Sequence, residues 1–228
     1  MKPLPPLDPI ASSALERLKH NYILQAWLVL MLALFFGASL AVVHLRLGPR
    51  IEQYKANETR HRIPEIILGS ARAEDPARQE RALTSSARTI SVKKQGRELL
   101  YTVYEARHPE GNLAGWVAKA AGQGYADKVE LLIGFSPSVD AITGIFVLDQ
   151  KETPGLGNKI TTVDWRSQFA EIKTAQPVEV IKSGAKRPNQ IDAITGATIS
   201  SRSVTRIVNT TVEDLRGPLA ALARNAKD

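Results

Sequence analysis

Residues 22–43, YILQAWLVLMLALFFGASLAVV, carry no charge, and Gln25 near the leading end is the one clearly polar side chain. Coiled as an α-helix at roughly 1.5 Å per residue, the stretch spans about 33 Å, which matches a hydrocarbon core about 30 Å thick. It reads as a transmembrane helix. Tyr22 and Trp27 lie toward one end, where amphipathic rings prefer the interface, and Arg17, Lys19, Arg46 and Arg50 flank the run. The apolar run is long for the core of a cleaved signal peptide, follows a Pro-rich tail, and precedes no convincing small-x-small cleavage site. A retained, single-pass anchor is therefore expected.

Charge counting gives one orientation for that anchor. Lys2, Arg17 and Lys19 precede it, whereas Arg46, Arg50, Lys55, Arg60 and Arg62 follow it. By the positive-inside rule the larger, trailing part faces the cytoplasm, on a margin of two residues, five against three.

Composition excludes several chemistries. The 228 residues suffice for one ordinary domain plus extensions, and none is a cysteine. That removes disulfides, thiolate metal ligation, Fe–S clusters and cysteine nucleophiles. His20, His44, His61 and His108 are scattered without a converging pair, so no metal site is expected. The net charge of +7 is spread among interleaved acids, as in RAEDPARQER at 72–81, with no basic stripe set among aromatics. Nucleic acid is not an expected partner.

Past the anchor, residues 44–88 read as a stalk with one or two short helices, interrupted at Pro64 and at Asp75-Pro76. From residue 89 the period shifts toward two. TISVKKQ, ELLYTVYEAR, AGWVAKAA, KVELLIGFS and ITGIFVLDQ are β-branched or aromatic runs separated by turn signals. A mainly antiparallel sheet follows from them. A helix candidate comes at 163–170, a strand at 178–182, and finally an amphipathic helix with Val204, Ile207, Val208, Leu215 and Leu219 on one face and a bend at Gly217-Pro218. Strands in series with helices at the ends give an α+β class.

The pentapeptide DAITG occurs twice, at 140–144 and at 192–196. In the first copy Gly144 leads into Ile145-Phe146-Val147, so a turn into a buried strand is expected. In the second, Ala197-Thr198-Ile199-Ser200-Ser201 opens the last helix, where hydroxyls belong as caps. Thr198, Ser200 or Ser201 can simply cap it. The same spot also suits a phosphate, because Gly196 and Ala197 leave the backbone bare, the helix start offers free N–H groups and a positive dipole end, and Thr198 places a hydroxyl beside them. Sequence physics alone leaves both readings open.

Asp192-x-x-Thr195-Gly196-Ala197-Thr198, continued by Ile199-Ser200, resembles the flavinylation motif of FMN-binding proteins. The resemblance implies that a flavin transferase moves FMN from FAD onto Thr198 through a phosphoester, reading Asp192, Thr195, Gly196 and Ala197 as its signature. Glu152-Thr153-Pro154-Gly155-Leu156-Gly157, with Gly124-Tyr125 and KVELLIGF before it, is similar to the G subunit of the Rnf electron-transport complex and to its relative, the C subunit of the sodium-translocating NADH:quinone oxidoreductase. That likeness implies a flavin-facing loop at 152–157 whose glycines let backbone approach the isoalloxazine ring. It further implies residues 89–216 as the FMN-binding domain, residues 1–21 and 217–228 as tails, and a site including Ser200. The expected setting is the bacterial inner membrane, with the domain on the periplasmic side and other membrane subunits of an Rnf-type complex as partners. The expected role is electron transfer inside a complex coupling ferredoxin and NAD redox chemistry to ion transport; an anchored binding or assembly module without flavin is the alternative.

Overall fold

The computed structural model describes residues 21–69, 83–94 and 96–225. Helix α1 (Tyr22–Leu68) is one uninterrupted element, so the stalk expected after the anchor is, as far as Leu68, its continuation through Pro64. Asp75-Pro76 lies outside the described residues. The chain divides into a unit ending at Tyr54 and a unit beginning at Lys55. In the first, the apolar side chains of α1 are exposed, Leu34, Phe35, Phe36 and Leu40 among them, and the helix is long and apolar enough to cross a membrane.

In the second unit the last turns of α1 are held by packing. Ile63 and Ile66 are buried against Ala106, Ala114, Val117 and Leu132, and Lys55 reaches Asp149 at 2.7 Å and Glu130 at 3.2 Å. Those contacts explain why Pro64 does not end the helix: the one backbone bond that proline removes is outweighed by side-chain burial around it. The helix stops at Gly69, whose φ of +83° allows its N–H to close on the Glu65 carbonyl.

Strands β1 (Thr84–Lys94), β2 (Arg97–Arg107), β3 (Leu113–Gln123), β4 (Lys128–Phe135) and β5 (Ile142–Asp149) form an antiparallel meander in that order. Alternation sends Leu131, Ile133 and Phe135 of β4 into the main core, while Leu132 between them faces Ile63 and Ile66. A one-turn helix α2 (Val163–Arg166) follows, continued by a 3₁₀ turn to Phe169. Strands β6 (Glu179–Ile181) and β7 (Gln190–Asp192) make a separate parallel pair, and α3 (Thr198–Asn225) closes the fold. The fold is α+β. Helix α3 lays Val204, Ile207, Val208, Val212, Leu215 and Leu219 on the main core, opposite the sheet face covered by α1.

Helix α3 runs through Gly217-Pro218 to Asn225 because Leu219 and Ala223 beyond the proline are buried. In the first DAITG copy the turn is made upstream, where the Asp140 carboxylate accepts from Ser136 and Ser138. Gly144 is no part of that turn. It lies inside β5, paired with Gly134, where Ile66 of α1 crosses the two bare positions.

Candidate functional site

The second DAITG copy forms the joint between β7 and α3. Ala197 N–H closes on the Ile194 carbonyl at 2.9 Å, and Gly196 has φ +81°, the positive value that the third residue of a type II turn demands. Ser201, fully buried, clasps this turn to the helix: its hydroxyl donates to the Ala197 carbonyl at 3.1 Å and accepts from Ile194 N–H at 3.0 Å. Ser201 therefore takes the local backbone-binding role that sequence left open among three hydroxyls. Thr198, the first residue of α3, is half-buried, and its hydroxyl has no hydrogen-bond partner among the described residues.

Ser200 has another task. Its hydroxyl donates to Glu152 Oε2 at 2.7 Å, while Glu152 Oε1 accepts from the Tyr125 N–H at 2.7 Å and the Ala126 N–H at 3.2 Å. The buried carboxylate thus fastens three segments: the turn after β3, the loop after β5 and the first turn of α3. Room for it comes from two glycines. A Cβ at Gly157 would lie 2.7 Å from Ser200 Oγ and 2.8 Å from Glu152 Oε2, and one at Gly124 would collide with Glu152 Oε1. Gly157 is bare so that the loop can pack on Glu152 and Ser200, whereas Gly155, at φ +76°, faces open space.

These segments enclose a cleft of about 460 Å³ walled by Tyr125, Thr153, Leu156, Gly196, Thr198 and Ile199, with Gly157, Ala197 and Ser200 at its base. Its volume falls within the range of roughly 300–1,000 Å³ usual for small-molecule sites. Tyr125, Leu156 and Ile199 are 60%, 45% and 58% exposed, so apolar surface faces outward at the rim. No wall residue is charged. The cleft fits an organic ring system, and the open end of α3 beside the Thr198 hydroxyl fits a phosphate.

Of the residues singled out from sequence, Thr153, Leu156, Gly157, Gly196, Ala197, Thr198 and Ser200 meet at this cleft, and Glu152 supports it from beneath. Asp192, Thr195 and Gly155 do not line it. Asp192 Oδ1 instead accepts from Ala185 N–H at 2.9 Å, its own N–H donates to Gln168 Oε1 at 2.7 Å, and its carbonyl accepts from Trp165 Nε1 at 2.9 Å. Thr195 stands exposed at the corner of the turn. Tyr125 and Ile199, quoted within the motifs but not named there as site residues, are wall residues too, and a large apolar side chain beside a Gly-rich turn and at an exposed helix position was a readable signal.

The profile of the family described as "FMN-binding domain" matches residues 124–213, the span from the turn under Tyr125 to the middle of α3. The chain is similar to the G subunit of an ion-translocating oxidoreductase complex from Methanosarcina acetivorans, 36% identical over 48% of this chain and 56% of that one. It is also similar to the G subunit of a Na(+)-translocating ferredoxin:NAD(+) oxidoreductase complex from Acetobacterium woodii, 38% identical over 51% of this chain and 56% of that one. These matches span about half the length of the relatives. In architecture it resembles the C subunit of the Na(+)-translocating NADH-quinone reductase of Parabacteroides distasonis, with a TM-score of 0.55 and 21% identity over 77% of this chain and 96% of that one.

Proposed function

We propose that this chain is a membrane-anchored electron carrier that holds FMN covalently on Thr198. The observation that carries the reading is the uncommitted Thr198 hydroxyl, set at the open start of a 28-residue helix and on the wall of an uncharged cleft. In the proposed maturation, supplied by a flavin transferase, the Thr198 hydroxyl oxygen attacks the FMN phosphorus of FAD. The phosphoanhydride bond breaks, AMP leaves, and the hydroxyl proton is lost. The resulting diester bears one negative charge beside the positive end of α3.

When bound, FMN supplies the electron chemistry, its isoalloxazine ring accepting and donating electrons. The chain supplies place and insulation. Tyr125, Leu156 and Ile199 offer apolar surface to the ring, and Glu152 keeps the loop and the helix start at fixed separation. Asp192, Thr195, Gly196 and Ala197 serve as the signature for the transferase. The exposed corner at Thr195 and Gly196 suits that role, because a maturing enzyme must reach it. The names of the similar subunits support a place in a multi-subunit ion-translocating complex coupling ferredoxin and NAD chemistry. In that setting the anchor crosses the bacterial inner membrane and the domain lies on the periplasmic side.

The test is intact mass after coexpression with the transferase. An adduct of about 438 Da, FMN less water, is expected, and its absence would leave only an anchored binding or assembly module. Thr198→Val should abolish covalent flavin. Ser200, the next hydroxyl in sequence, is buried and bonded to Glu152, so it is not expected to substitute.

A further inference from the structure

We propose that Arg202 binds the phosphate that Thr198 carries, so that the flavin diester is gripped by a guanidinium as well as by the start of α3. The inference rests on the Thr198 reading and adds a residue outside the 192–200 motif. Three observations carry it.

The first is register. Thr198 and Arg202 are four residues apart on one helix, so they share a face with Cβ atoms about 5–6 Å apart. Helical side chains lean toward the N-terminus. That lean brings Arg202 within reach of the turn that begins with Thr198. The second is its uncommitted charge. Arg202 is exposed and makes no hydrogen bond or ion pair with any described residue, unlike Arg166, which reaches the Ile145 carbonyl and Glu65, or Arg187, which pairs with Glu179. A lone cation near the positive end of a helix gains nothing from the dipole there. An anion on Thr198 would balance it.

The third is the shape of the surface. A groove of about 810 Å³ runs down the same stripe of α3, with Arg202, Arg206 and Asn209 on one side and Pro177 and Val178 on the other. Asn209 locks that opposite wall, its amide bonding both the N–H and the carbonyl of Val178, at 2.8 and 2.9 Å. Thr198 heads this stripe and also borders the uncharged cleft. The two concavities differ in chemistry: the cleft at Tyr125 and Leu156 suits a ring, and the arginine side suits the phosphate. Arg206, a further turn along and about 12 Å from Thr198 in helix rise, lies on the same stripe but is less well placed for that contact.

The experiment uses the full chain coexpressed with the flavin transferase, comparing wild type, Arg202→Ala, Arg202→Lys and Arg206→Ala. Two quantities are read: the rate of flavin incorporation by intact mass, and the phosphorus NMR shift of the attached diester. Arg202→Ala should incorporate flavin about tenfold more slowly, the scale of one charge-assisted hydrogen bond. Its resonance should move toward that of a solvated dialkyl phosphate. Arg202→Lys, which keeps the charge but loses the fork, should fall between, and it supplies the resonance should the alanine variant take up too little flavin. Arg206→Ala should match wild type in both. A slower rate with an unchanged resonance assigns Arg202 to contact with the transferase and overturns the phosphate contact. Equal losses for Arg206→Ala overturn it in favour of general charge. Wild type without adduct overturns the Thr198 reading and this inference together, whereas wild-type behaviour of Arg202→Ala overturns this inference alone.

Discussion

Ser200 Oγ donates to Glu152 Oε2 across 2.7 Å, joining the first turn of the last helix to the loop after the fifth strand. Glu152 accepts two further backbone N–H groups, from Tyr125 and Ala126, so removing its carboxylate leaves three donors on two segments without their partner. Glu152→Ala is expected to lower unfolding stability by about 2–3 kcal/mol and to reduce flavin incorporation because the cleft walls lose their spacing. Glu152→Gln keeps one acceptor and should lie between. Thermal and denaturant unfolding of the full chain in detergent measures both.

Gly157→Ala tests the same joint from the other side. The added methyl meets Ser200 Oγ at 2.7 Å and Glu152 Cβ at 2.9 Å, and an overpacked buried contact costs about 1–3 kcal/mol. Gly155→Ala meets no neighbour, so only its positive φ penalises it, by about 1–2 kcal/mol. Both should destabilise, but only Gly157→Ala should be non-additive with Ser200→Ala in a double-mutant cycle.

At Gly196 two effects can be separated. Alanine there must adopt φ +81° and would bring its Cβ to 3.1 Å from Leu156 Cδ2. The expected loss is about 1–2 kcal/mol for the backbone, plus a smaller steric part. Leu156→Ala in the same chain should recover the steric part alone. Complete recovery in unfolding measurements would show that the turn relaxes and that its backbone conformation is not constrained by the helix start.

The sheet was legible because its strands are short aliphatic, β-branched or aromatic runs set off by turn residues, as ELLYTVYEAR and KVELLIGFS are, and the chain joins neighbours in order. The breaks were less so. Pro64 read as an interruption and Pro218 as a bend, yet both helices continue past them, because burial of Ile63 and Ile66 around one and of Leu215 and Leu219 around the other is a long-range fact with no local signature. The glycines of ETPGLG were visible as a cluster. Which side of the loop each bare Cα faces was not, since that depends on Glu152 meeting Ser200, 48 positions away. The repeated DAITG shows the same limit: in one copy the glycine makes room for Ile66, and in the other it turns the chain toward Thr198.

Glu130 should make stability depend on acid. Burial pushes its pKa up, but hydrogen bonds from Lys128 and Lys55 and the charge of Lys119 outweigh it, holding the carboxyl at about 2 against an ordinary 4.5. A depressed folded value stabilises the fold above the unfolded pKa and is lost as pH falls through the folded one. Wild type should therefore shed about 1–2 kcal/mol, after allowance for solvent screening, between roughly pH 5 and 2. Glu130→Gln should be less stable at neutral pH and flatter across that window. Parallel profiles for the two proteins would show that Lys55 is held to the sheet chiefly by Asp149.

Orientation sets charge counting against family likeness. Five positive residues follow the apolar run and three precede it, which by itself keeps the domain in the cytoplasm. Of the trailing five, however, Lys55 is paired with Asp149 and Glu130, and Arg62 with Glu58 and Glu65, in the folded domain. Acidic partners contribute little to the insertion rule, so this pairing does not erase the count; it shows that those cations have a folding role independent of topology. The periplasmic placement proposed above therefore rests on the family likeness and not on these residues. Alkaline phosphatase fused after Asp228 should be active, and the same fusion after a chain lacking residues 22–43 should be inactive in the cytoplasm. An expressed but inactive full-length fusion would place the domain inside, where the charge count alone puts it, and with it the proposed flavin transfer would have to occur in the cytoplasm.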